Sequence, residues 1–237
     1  MKKYLIEKAA SMGIEMSAEQ AEKFEAYNSL IYAINGEMNL TRVENEITEA
    51  CDRNYLDSLT ALKYLGNAEK VADVGSGAGF PGVPLAIMRP DIRFTLFDAL
   101  GKRVDFLNSV ISKLALNAEA VHIRSEDAAK KPEYRDAFDV ATARAVADMR
   151  VLSEWLLPFV KQGGRMLALK GPDVENELKD SEYALELLCG KLMTVDDADI
   201  PGRDWQHKIA VIEKTAPTPA NFPRKAGMAE KRPLIRK

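Results

Sequence analysis

Residues 71–91 read VADVGSGAGFPGVPLAIMRPD, with Gly75, Gly77, Gly79 and Gly82 falling inside eight positions directly after a short apolar run. An acid, Asp73, sits two residues ahead of the first of them. The apolar run predicts a strand over Lys70–Val74, and the stretch beginning near Pro81 predicts a helix. Glycine between them permits positive φ and close approach of a ligand to the main chain, while a helix start leaves backbone N–H groups free. A strand, glycine loop and helix in this order is the ligand-binding turn of an open α/β sheet.

The flanking sequence carries the same alternation. Further strands are predicted at Arg93–Asp98, Ala120–Ile123, Phe138–Ala143, Arg165–Lys170, Leu192–Val195 and Lys208–Glu213. Helices are predicted near Pro81–Met88, Lys102–Leu116, Asp148–Val160 and Asp173–Cys189. Right-handed crossovers between such strands give a mostly parallel sheet of seven strands with helices on both faces, a Rossmann-like α/β fold. Ahead of it, Ser17 and Gln20 form a capping box, and Phe24, Tyr27, Ile31 and Ile34 recur at helical spacing up to Asn35-Gly36. A second helix is expected from about Asn45 to Leu65. The division is therefore 1–66 as an N-terminal helical cap, 67–214 as the sheet domain, and 215–237 as a basic arm.

Composition limits the function. The chain has 237 residues, of which 46% are hydrophobic and 29% charged, enough to build a core. Cys51 and Cys189 stand far apart in no metal-like spacing, so neither a zinc site nor a disulfide framework is indicated, and no metal is expected. No apolar run reaches the roughly 20 residues that span a bilayer, and the start lacks a signal-peptide core, so a cytoplasmic protein is expected. The net charge of −3 is unevenly placed: seven basic residues and one acid lie between Lys214 and Lys237, which leaves the first 213 residues at −9. The four prolines after Lys214 and the lack of periodicity predict an extended arm rather than another layer.

Two cofactors compete for the glycine loop. A dinucleotide site uses G-x-G-x-x-G with the pyrophosphate on the helix start. Here Gly79 arrives one residue early, and Asp73 would face that pyrophosphate poorly. The acid suits a ligand bearing positive charge, such as the ammonium and sulfonium of S-adenosylmethionine. Asp98, at the end of the next strand, is placed to accept both ribose hydroxyls. Ser125 and Glu126, in the turn after the third strand, are candidates for base contacts.

The elements DVGSGAGFPGVPLAI, FDALGKRVDFL, RSED, TARAVA and LALKG occur in that order, with NLTRV and YLDSL before them and FPRKAG after. Together they resemble the bacterial RsmG/GidB family, which methylates N7 of one guanine in small-subunit ribosomal RNA. The resemblance implies a Rossmann-like methyltransferase fold, S-adenosylmethionine as cofactor, and ribosomal RNA, naked or partly assembled, as partner. By position it implies a cofactor site at Gly75, Phe80, Ser125, Glu126 and Arg144, which Asp73, Gly77, Gly79 and Asp98 join from the loop and strand-end reading. The family usually has His where Asn54 stands and Arg where His207 stands.

The residues speak to chemistry as well. The N/D-P-P-Y/F signature of exocyclic amine methylation is missing, and both cysteines fall in predicted helices, away from where a nucleophile would be needed. A ring nitrogen such as N7 carries a free lone pair and no proton, so positioning suffices and no general base is required. Arg144 and Lys170, at the ends of the fourth and fifth strands, are the candidates for holding a carboxylate, a phosphate or guanine O6. Arg124, Arg224 and Lys225 are candidates for RNA. The rival readings are an NAD-dependent oxidoreductase, a methyltransferase for another RNA or a small metabolite, and a non-catalytic RNA-binding factor.

Overall fold

A computed structural model of the chain describes residues 1–38, 46–144 and 146–236. NLTRV, the start of the expected second helix and Ala145 therefore lie outside or partly outside the described residues.

Helices α1 (Lys2–Ser11) and α2 (Ala18–Met38) open the chain. The capping box forms at the start of α2: Gln20 N–H donates to Ser17 Oγ at 3.1 Å, and Ser17 N–H donates to Gln20 Oε1 at 2.8 Å. Asn35-Gly36 does not end this helix as expected; it continues to Met38. Instead of one long second helix, α3 (Ile47–Ala50) passes through a π-helical stretch, Cys51–Leu56, into α4 (Asp57–Leu59). A π-helical turn widens the backbone spiral locally and is frequent at functional sites. Here it carries Arg53 and Asn54.

Then follow β1 (Lys70–Val74), α5 (Gly82–Met88), β2 (Arg93–Asp98), α6 (Gly101–Leu114), β3 (Ala118–His122), α7 (Ser125–Ala128), β4 (Phe138–Arg144) and α8 (Met149–Leu156). After them come β5 (Val160–Lys170), α9 (Val174–Leu187), β6 (Gly190–Asp197), β7 (Lys208–Lys214) and α10 (Met228–Lys231). The seven strands form one sheet in the order β3-β2-β1-β4-β5-β7-β6. Pairing is parallel from β3 to β5, and β7 runs antiparallel to both neighbours. Strand order reverses between β1 and β4, so the crevice beyond their carboxyl ends is the switch point.

Successive residues of a strand face opposite sides of the sheet, and the core divides accordingly. Val71, Leu96, Val140 and Leu167 join one apolar cluster, Ala72, Phe97, Ala141 and Ala168 the other. The first cluster also holds Leu5, Phe24, Tyr27 and Tyr55, so the N-terminal helices and the sheet share one core. No helix among the described residues is long and apolar enough to cross a membrane.

The segment after β7 is not a free arm. Phe222 and Ala229 are buried, and α10 is a helix the sequence did not announce. Arg135 donates to the carbonyls of Phe222, Thr218 and Pro219 at 2.7–3.1 Å. Lys214, counted with the basic tail, is wholly buried, and its Nζ donates to Leu157 O and Thr218 Oγ1.

Candidate active site

The glycine loop is shaped from beneath by an acid. Gly75, Gly77 and Gly79 have φ of +73°, +58° and +106°, a region that side chains rarely adopt. Asp73 is fully buried, and its Oδ2 accepts the Gly82 N–H at 3.1 Å, at the first turn of α5. A Cβ on Gly82 would stand 2.6 Å from that oxygen, so only glycine lets the helix start so close to the acid. Oδ1 of Asp73 is buried without a hydrogen-bond partner among the described residues. Desolvation pushes the carboxyl up to about 7, against the pull of the Gly82 N–H and the Arg144 charge. Asp73 lines neither of the cavities described next; it acts on the loop from below.

Two cavities open along the carboxyl edge of the sheet and share Val146. The first, of about 370 Å³, lies beyond β1, β2 and β3 and is bordered by Gly75, Asp98, Arg124, Ser125 and Glu126. Asp98, 4% exposed, accepts N–H groups from Gly77 and Leu100, each at 2.9 Å, and stands 3.6 Å from Arg103. Glu126 is likewise buried and accepts from Ser125 Oγ at 3.0 Å. Its other oxygen accepts the N–H of Gly227 at 2.8 Å, so the C-terminal segment seats on this cavity and lends it Glu230 as a wall. Trp155 also borders it, with its indole N–H buried and unpartnered among the described residues.

The second cavity, of about 650 Å³, lies beyond β4 and β5 and is bordered by Asn54, Asp57, Arg144, Lys170 and His207. Arg144 links this cavity to the glycine loop. Its guanidinium lies 4.7 Å above the centre of the Phe80 ring, at the end of the glycine loop. Nη1 donates to Asp57 Oδ2 at 3.0 Å and to Arg53 O at 2.7 Å, and Nη2 reaches Asn54 Oδ1 at 3.4 Å. The other oxygen of Asp57 faces His207 Nδ1 at 2.8 Å. Lys170 is tied down by Glu177 at 2.6 Å and Ala147 O at 2.8 Å.

The residues singled out in the sequence thus fall into groups. Gly75, Asp98, Ser125 and Glu126 converge on the first cavity, joined by Arg124, an RNA candidate. Gly77, Gly79 and Phe80 build the loop beside it, while Arg144 and Lys170 converge on the second cavity. Arg224 is committed elsewhere: it grips Glu154, 1% exposed, through contacts of 2.5–3.0 Å, and Lys225 stands exposed beside it. Sequence reading missed Trp155 and Glu230 as cavity walls and Gly227 as the donor to Glu126. It noted Asn54 and His207 as departures from a family pattern, with no means of seeing that both meet Arg144, Asn54 directly and His207 through Asp57.

The first cavity fits an adenosyl cofactor with a positively charged end. It offers two buried carboxylates at the strand ends, an orphaned indole donor and a bare main chain at Gly75, all above the buried acid Asp73. Among the described residues that border the second cavity there is no cysteine or serine to act as a nucleophile, and Cys51 lies outside it. Burial pushes the Cys51 thiol up to about 12, far from a reactive thiolate. No cluster of three or more His, Cys, Asp or Glu placed to hold a metal occurs among the described residues.

A family model described as GidB, rRNA small subunit methyltransferase G, matches residues 20–203. The Ribosomal RNA small subunit methyltransferase G of Clostridium perfringens (strain SM101 / Type A) is 46% identical over 234 residues, covering 97% of this chain and 98% of that one. Its namesake in Lactobacillus acidophilus is 41% identical over 225 residues, 93% of each chain. Among solved structures, M. jannaschii TYW2 in complex with AdoMet aligns with a TM-score of 0.52 at 17% identity, over 67% of this chain and 74% of that one. The [4+2]-cyclase SpnF aligns with a TM-score of 0.55 at 15% identity, over 84% and 96%. A cyclase among the structural neighbours shows that the fold by itself leaves the reaction open.

Proposed function

The chain belongs to the family of rRNA small subunit methyltransferase G, and from that premise we propose that it transfers a methyl group from S-adenosylmethionine to N7 of a guanine in small-subunit ribosomal RNA. The reading is carried by agreement with relatives of that name along nearly the full length of both chains. The two adjoining cavities suit it, because methyl transfer needs two ligands side by side. The NAD-dependent oxidoreductase reading has no such support.

S-adenosylmethionine, when bound, supplies the electrophilic methyl. Asp98 would hold the ribose, and Ser125 and Glu126 would meet the base together with Trp155. The chain crosses at Gly75 with no side chain to obstruct the ligand, and the loop turns of Gly77 and Gly79 set Phe80 beneath Arg144. Asp73, its carboxyl pushed up to about 7 by burial, lies under the loop, where a cationic ligand gains from its ionised form and favours it. Arg144, in the second cavity and over the Phe80 ring that ends the loop, aligns the acceptor base with the cofactor. Arg124, bordering the first cavity, supplies positive charge for the RNA backbone, and Lys170, paired with Glu177, holds the wall of the second. In-line attack by the N7 lone pair needs aligned reactants and little water, and no base. The substrate is ribosomal RNA, naked or partly assembled, and the site of action is the cytoplasm.

The test is transfer of labelled methyl from S-adenosylmethionine to small-subunit RNA purified from cells lacking the protein. Digestion should return the label as 7-methylguanosine; label in another nucleoside, or none, overturns the reading.

A further inference from the structure

His207 stands at the mouth of the second cavity with one ring nitrogen already assigned. Asp57 accepts from Arg144 at Oδ2, and its Oδ1 lies 2.8 Å from His207 Nδ1. A carboxylate that accepts on one side accepts on the other, which places the ring proton on Nδ1. Nε2, on the far side of the ring, is then a lone-pair acceptor with no partner among the described residues, on a ring that borders the cavity. The ring is held in place as well as oriented: Trp205 packs 5.6 Å from it, and Arg53 lies 4.4 Å over the Trp205 ring. The cations around the cavity, Arg53, Arg144, Lys170 and Lys208, can only donate. Its two acids, Asp57 and Glu177, are held by Arg144 with His207 and by Lys170. His207 Nε2 is therefore an acceptor on this cavity, on a ring that Asp57 and Trp205 hold in place, able to meet a donor on the ligand.

We infer that His207 recognises the acceptor base by accepting the N1–H of guanine at Nε2, an interaction that strengthens as the methyl is transferred. This rests on guanine N7 being the acceptor. As the N7 lone pair takes the methyl, the carbon–sulfur pair stays on sulfur and the sulfonium charge passes to the purine. The proton on N1 becomes more acidic in the cationic ring, and its hydrogen bond to His207 Nε2 tightens without the proton leaving. An interaction stronger in the transition state than in the bound substrate raises kcat rather than lowering KM. Asp57 and Arg144 are positioning residues here, since they act through His207.

The experiment compares His207→Ala, His207→Gln and His207→Lys in single-turnover methylation of small-subunit RNA from cells lacking the protein. Affinity for S-adenosylhomocysteine by calorimetry and the thermal midpoint are measured for each. Gln keeps an acceptor, and Lys offers only a donor cation. The Ala variant should lose roughly 10-fold in rate at saturating RNA, the worth of about one hydrogen bond. Gln should recover most of that and Lys none of it, with cofactor affinity unchanged and each variant assayed well below its own melting midpoint. The inference is overturned if Lys restores the rate, if the loss lies in KM with a flattened salt dependence, or if Ala is as fast as the parent. Failure of the parent protein to make 7-methylguanosine would instead overturn the functional reading beneath it.

Discussion

Replacing Arg224 by Ala tests whether the basic C-terminus is part of the fold or a contact for RNA. Glu154, on α8, is 1% exposed, and the Arg224 side chain, 23% exposed, supplies it with Nε and Nη2 contacts of 2.5–3.0 Å. The Arg224 N–H, at 2.8 Å, is the donor that would remain. Stranding one member of a buried ion pair costs about 3–5 kcal/mol. The surviving backbone donor and the partial exposure of the arginine reduce that to about 2–4 kcal/mol. For a chain of this size each kcal/mol moves Tm by roughly 2–4 °C, so the midpoint should fall by roughly 4–16 °C. Thermal unfolding followed by circular dichroism, with a urea titration as the second measure, gives the number. Adding Glu154→Gln to Arg224→Ala removes the stranded charge and should recover part of the loss. A midpoint within about 1 °C of the parent, accompanied by weaker RNA binding with a shallower salt slope, would refute the reasoning and return Arg224 to the RNA.

The loop and the cofactor cavity give further expectations. Asp98→Ala should weaken S-adenosylhomocysteine binding by about 1.5–3 kcal/mol, read by calorimetry, because ribose hydroxyls lose a charged acceptor; unchanged affinity removes Asp98 from the site. Gly82→Ala should destabilise the protein by about 1–3 kcal/mol in urea titrations, since its Cβ would press to 2.6 Å from Asp73 Oδ2. Asp73 binds its proton more tightly folded, at about 7, than unfolded. Its contribution to stability is therefore fully present below the unfolded carboxyl range and is lost as pH rises through about 7. Asp73→Asn should flatten that fall between pH 5 and about 7.5, as Tm against pH will show, and equal slopes in the two proteins would contradict the assignment. Cutting the chain after Thr215 removes Thr218, Phe222, Arg224 and Gly227, so both melting temperature and cofactor affinity should drop; a truncation binding S-adenosylhomocysteine at parental affinity would contradict the seating of this segment on Glu126.

The sheet was legible because its signals are local. β1 and β2 have their expected bounds, since apolar runs ending in Asp73-Val74 and in Asp98 need only neighbouring residues to be read. β3 begins two residues earlier than expected, at Ala118, because Ala and Glu carry no strand signal of their own and are held by pairing with Phe94 and Thr95. The break in the expected helix from Asn45 to Leu65 was hidden too: a π-helical stretch follows from packing, and CDRNYL reads as ordinary helix. The tail was misread for a physical reason. Charge counts show an excess of cations without showing where the anions wait, and Glu154 lies 70 residues from Arg224. Asp57 and His207, 150 residues apart, illustrate the same limit. Only the folded chain brings His207, through the Asp57 carboxylate, to Arg144 at the end of β4.

The most direct test of the central claim is mass mapping of small-subunit ribosomal RNA from cells with and without this protein. One guanosine should carry a methyl at N7 when the protein is present and lose it when the protein is absent, and the purified enzyme with S-adenosylmethionine should restore it at the same nucleotide. Identical maps from the two cells, or a missing methyl on any atom other than a guanine N7, would contradict the account.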